Sequence, residues 1–135
     1  MKLPASTKAG GMTLAVPDVC KTPTPGGVVP MPYPNSGMLN TADGVIEKVL
    51  IDSKEVVVES STIAHTQGDE AGVQGGIQSS TDMDESTYKQ YSSKVIADGK
   101  KMVFATARSV HNGSNPNAQN GIQVAASQSK VLVGT

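Results

Sequence analysis

Thr22-Pro23-Thr24-Pro25-Gly26-Gly27-Val28-Val29-Pro30-Met31-Pro32-Tyr33-Pro34-Asn35 is the stretch on which the fold of this chain turns. Five prolines in fourteen positions fix φ and leave few amide donors, so the backbone runs extended and stiff. Gly26-Gly27 supplies the one sharp bend. A polyproline linker would look the same locally. This segment, however, is flanked by apolar residues and lies inside a domain rather than between two, so it belongs to the body of the fold.

Around that stretch the composition is that of a small all-β protein. The 135 residues make one domain, with residues 1–12 expected as a flexible N-terminal arm ending at Gly10-Gly11 and residues 13–135 as a single β body. Gly (14) and Pro (8) are abundant, yet the apolar residues gather in short β-branched runs instead of thinning to a disordered composition. Residues 44–59 read as a hairpin turned at Asp52-Ser53-Lys54. Residues 94–104 read as a second, turned at Ala97-Asp98-Gly99-Lys100, where Asp-Gly is a strong turn signal. Gly121–Ala125 and Lys130–Val133 read as a third. Thr81–Tyr91 has a capped acidic first turn and is open to helix, loop or strand. The net charge of −1 gives no pull toward nucleic acid or an anionic membrane. One cysteine makes no internal disulfide, and the first residues lack the apolar core of a secretory signal.

The only cysteine and the only two histidines are Cys20, His65 and His111, spaced 45 and 46 residues apart. Each follows an apolar residue and precedes a polar turn. Equal spacing suggests three similar units whose turns meet on one axis, with the three side chains as metal ligands. Thiolate and imidazole suit zinc, and the fourth position would fall to water or to Asp18 or Asp69. The other reading is a buried cysteine and two surface histidines. A Cys–His nucleophile has no supporting signature around Cys20, because Lys21-Thr22-Pro23 offers no helix N-terminus. Gly68–Gly76 lacks the Gly-Lys-Ser/Thr ending of a phosphate loop, and Asp82, Asp84 and Glu85 lack the spacing of a calcium loop.

The proline stretch resembles the PAAR-like proteins that sharpen the spike of bacterial type VI secretion systems. The relevant branch carries Thr-Pro-Thr-Pro-Gly-Gly followed by Pro-Ile-Pro-Tyr-Pro-Asn; here Met31 stands for the isoleucine. Val16–Cys20, Gly68–Gly72 with Gly75-Gly76, Tyr91-Ser92, Gly99-Lys100 and His111-Asn112 follow in the same order. Phe104 and Ala107 stand where that pattern holds an arginine and an aspartate. The resemblance implies a small cone of β-hairpins with approximate three-fold symmetry and Gly/Pro-rich loops. It implies a non-enzymatic tip, one chain per trimer of a VgrG-type spike, made in the bacterial cytoplasm and expelled without a signal peptide to touch a target membrane transiently. A zinc held by three histidines and a cysteine is the pattern in better-known PAAR proteins; two histidines cannot complete it. Val45, Val56, Val131 and Val133 are the expected docking residues. With about fifteen residues after Gly121, no fused toxin is expected. Other readings are an adaptor for a separate toxin or its chaperone, the tip of a phage-tail-like particle, and a small metal-dependent hydrolase.

Overall fold

The computed structural model describes residues 1–135 and is nearly all β, with one 3-10 turn at Leu39–Thr41. The strands are β1 (Lys2–Pro4), β2 (Met12–Thr24), β3 (Gly27–Met38), β4 (Ala42–Asp43), β5 (Ile46–Ile51), β6 (Lys54–Val56) and β7 (Thr62–Ile63). They continue as β8 (Ser86–Tyr88), β9 (Ile96–Ala97), β10 (Lys100–Lys101), β11 (Arg108–His111), β12 (Ala118–Ala125) and β13 (Leu132–Gly134). Seven of them form one antiparallel sheet in the order β3-β2-β12-β11-β8-β7-β4. Ser36 and Gln67 exchange both amide bonds (2.7 and 2.8 Å), so the chain leaving β7 returns to the free side of β3 and joins the two ends of the sheet.

The proline stretch is the long hairpin β2–β3, turned at Pro25-Gly26 with the Thr24 hydroxyl donating to the Gly27 carbonyl at 2.6 Å. Its prolines follow the alternation of an antiparallel ladder. Ser36 bonds Gln67 and Lys21 bonds Gly75, so the backbones of these residues face away from their partners in the hairpin. Pro30 lies opposite Lys21, and Pro32 and Pro34 share its parity. The three prolines therefore occupy the positions whose N–H groups would point outward from the β3 edge. Between Pro30 and Pro34 this edge offers no donors, which blocks pairing with another strand along that stretch. Restoring two of these donors, in Pro30→Thr with Pro32→Thr, is expected to give concentration-dependent self-association by light scattering, while the parent chain keeps one mass.

Three antiparallel strand pairs, the hairpins β5/β6 and β9/β10 and the pair formed by the chain's two ends, β13/β1, each lead into a buried tripeptide. These are Ala5-Ser6-Thr7, Val56-Val57-Val58 and Met102-Val103-Phe104, all under a tenth exposed. They close a ring. Thr7 bridges Val56, Val58 bridges Met102, and Phe104 bridges Ala5. At the centre Ser6 N–H donates to Val103 O (2.9 Å), Val103 N–H to Val57 O (3.1 Å) and Val57 N–H to Ser6 O (2.9 Å). Each tripeptide runs into a turn and then into a sheet strand: β2, β7 or β11. The main apolar core packs here, around Leu39, Ile63, the three valines 56–58, Val103 and Phe104.

Three expectations change, and one left open is decided. Lys2–Thr7 is not a loose arm: β1 pairs with β13, and Ala5, Ser6 and Thr7 are fully buried. Gly121–Ala125 and Lys130–Val133 are not a hairpin. The first belongs to β12 between β2 and β11, and the second region pairs with the N-terminal strand β1. Thr81–Tyr91, which the sequence left open to helix, loop or strand, contains no helix; Ser86–Tyr88 is strand β8. Val56 and Val133 are core residues and unavailable for docking, while Val45 is half-buried and Val131 exposed.

Candidate functional site

Along β2 the buried positions are Thr13 and Ala15, and then Asp18, Cys20 and Thr22. Val16 and Pro17 are exposed together, and the register with β3 slips between Ala15 and Asp18. That irregularity changes the phase of the strand and turns a carboxylate and a thiol inward. Asp18 is fully buried and receives amide donors from three directions: Asn35 Nδ2 at 3.1 Å, Asn112 Nδ2 at 3.2 Å from both oxygens, and Asn117 Nδ2. Asn112 is pinned from its other side, its Oδ1 accepting from Asp84 N–H and the Thr81 hydroxyl at 3.2 Å each while its Nδ2 donates to Thr81 O at 2.8 Å. Asn117 Oδ1 accepts from Gln78 N–H at 2.8 Å. Asp69 accepts the Met83 N–H at 3.1 Å. No buried side-chain polar atom lacks a partner. The node thus ties β2, β3, the long segment 64–85 and the turn after β11.

The glycines of that segment are there for closeness. A β-carbon on Gly72 would lie 2.3 Å from Cys20 Cβ, and one on Gly76 would lie 2.2 Å from Asn117 Cγ. Only glycine lets the segment lie against β2 at these points, where Gln74, Gly75 and Ile77 bond Lys21 and Val19.

Cys20, His65 and His111 do not converge. Cys20 meets Asp18 (3.5 Å) and Asp69 (3.8 Å), and Asn112 Nδ2 approaches its sulfur at 3.7 Å. Burial, reinforced by the two neighbouring carboxylates, pushes the thiol well above its ordinary range. A thiol held protonated is a poor nucleophile, and no histidine touches it. His111 is fully buried, with Nδ1 on Asn35 Oδ1 (2.8 Å) and Nε2 on the Ser109 hydroxyl (2.9 Å). Burial pushes its pKa down to about 4, against the pull of Asp18. His65 is exposed and lines a shallow cleft with Met38, Thr41, Asp43, Ala64 and Gln67. The histidines sit at like positions, three residues past the starts of β7 and β11, whereas Cys20 lies eight past the start of β2.

The group that does converge is Asp18, Cys20 and Asp69, whose ligand atoms lie within 4.8 Å of one another, close enough to hold a metal ion. Its surroundings do not fit zinc. Three asparagine amides present N–H groups to Asp18, and that of Asn112 also faces Cys20, where a cation would require lone pairs. Sequence reasoning had singled out Asp18 and Asp69 as oxygen donors but missed Asn35, Asn112 and Asn117. Their signal was position: Asn35 closes the proline motif and Asn112 follows His111.

Two buried groups titrate in opposite senses. Burial, with a hydrogen bond to Asp18, raises Asp69 from 3.8 to about 7, so its protonated form stabilises the fold and that stability is lost as pH rises from about 4 to about 7. His111 falls from 6.5 to about 4, so its contribution is present above 6.5 and lost as pH falls toward 4. The two offset each other between about pH 4 and 6.5. Asp69→Asn is expected to uncover the histidine: urea midpoints should fall steadily on acidification across that window, where the parent stays nearly level. A level profile in the variant would contradict the assignment.

Ring, node and proline-lined edge belong to one all-β domain whose polar centre is buried. The family model described as the toxin PAAR-like domain matches residues 11–118, and the chain belongs to that family. No curated protein and no solved structure matches it. The matched span begins after Ala5–Thr7 and ends before β13, so the leg of the ring built from the chain's ends lies outside it.

Proposed function

We propose that this protein is a non-enzymatic tip that caps a trimeric VgrG-type spike of a type VI secretion system, one chain per trimer. The observation that carries this is the ring of three tripeptides, each following an antiparallel strand pair and each donating one amide to the next. A single chain that repeats one local structure three times about an axis presents similar surfaces to the three subunits of a true trimer. The family supports the spike association in general. The rest of the mechanism is mechanical. The donor-free stretch Pro30–Pro34 keeps the tip from sticking to other strands, and the node around Asp18 stiffens the long hairpin against force. The protein would be made in the bacterial cytoplasm and carried out with the spike. Holding a separate toxin or its chaperone remains the second role for the same cap. Mixing the protein with a trimeric VgrG-type spike and weighing the complex by light scattering tests the proposal: the expected mass is one trimer plus one chain. Three chains per trimer, or no complex, would overturn it.

A further inference from the structure

We infer that asparagine amides, and not a metal ion, staple the interior of the β2–β3 hairpin in this chain. A structural zinc cross-links segments distant in sequence by gathering lone pairs around a positive centre. Here segments equally distant are cross-linked by gathering N–H groups around a negative centre. Asp18 is that centre, and its donors come from β3 (Asn35) and from the turn after β11 (Asn112 and Asn117).

The orientation of these amides is not free. Turning Asn112 over would set its oxygen against the Thr81 carbonyl and the Asp18 carboxylate, and its NH2 against the Asp84 N–H. Turning Asn117 over would set its oxygen against Asp18 and the Val19 carbonyl, and its NH2 against the Gln78 N–H. Asn35 is held by Asp18 on one side and His111 on the other. Each amide has one consistent orientation, and in each the donor faces Asp18. The Asn112 nitrogen, at 3.2 Å from both Asp18 oxygens and 3.7 Å from the Cys20 sulfur, sits against the very atoms a cation would need. A charge-assisted set of this kind satisfies the buried carboxylate without an ion.

The test is metal analysis and thermal unfolding of the full chain purified without chelator. The expected result is metal well below one equivalent, with a midpoint unmoved by EDTA or by added zinc. Asn112→Ala should lower the midpoint by about 5–10 °C, equally with and without EDTA. If that variant does not fold, Asn117→Ala, at a half-buried position, should show a smaller drop that is equally indifferent to EDTA. One equivalent of metal in the parent, with a midpoint that falls on chelation, would overturn the inference. So would asparagine variants that melt like the parent. Spike binding does not enter any of these readouts, so failure here leaves the proposed capping role standing, and the reverse.

Discussion

A chain lacking residues 1–8 is expected not to fold. Loss of the segment removes one side of the ring: the Ser6 bonds to Val103 and Val57, the Ala5 N–H bond to Val131 and the Lys8 N–H bond to Glu55. It strips β13 of its partner and takes away the Ser6 hydroxyl that donates to buried Gln123 at 2.6 Å. Val57 would keep a buried N–H with no acceptor, and the Val103 carbonyl would lose its donor. At about 1–3 kcal/mol for each buried group left unpaired, with the apolar contacts of Leu3 and Ala5 lost besides, the total reaches the order of a small domain's whole stability. Circular dichroism and a one-dimensional proton spectrum of the shortened chain would read it. A folded, cooperatively melting product would show that the segment is an accessory, as its composition alone suggests.

The second large effect is expected from Asp18→Ala, at roughly 3–5 kcal/mol by urea unfolding. Asn35 Nδ2 would lose its acceptor, and the amides of Asn112 and Asn117 would each lose one of theirs. Asp18→Asn keeps the volume but turns an amide nitrogen toward other amides, so it should recover little. Because the node, unlike the ring, holds residues 64–85 and 112–117, the damage should show first as faster hydrogen exchange in those segments, with the ring affected only through global unfolding. A loss under about 1 kcal/mol would mean that the node is incidental to the fold.

The chain announces its local structure well and its long-range structure poorly. Asp52-Ser53 and Asp98-Gly99 do turn hairpins, with positive φ at all four residues, because turn chemistry is written in neighbouring residues. The third strand pair of the ring joins Lys2–Pro4 to Leu132–Gly134, and no local signal records a pairing between the two ends of a chain. The equal spacing of Cys20, His65 and His111 pointed to three units, but only the histidines occupy like positions, and one is buried while the other is exposed. The ring's tripeptides share burial and bonding rather than residue type; Ala-Ser-Thr beside Val-Val-Val hides the likeness. The proline motif was legible as stiff and extended. That Pro30, Pro32 and Pro34 all face outward needed the register. Phe104 and Ala107 are buried in the apolar core.

The most direct test of this account is amide hydrogen exchange by NMR at Ser6, Val57 and Val103, the three central donors of the ring. The account predicts that all three exchange slowly, at one common rate set by global unfolding, and that they lose protection together with rising denaturant. Ser6 exchanging at the rate of a free peptide, while Val57 and Val103 stay protected, would contradict it.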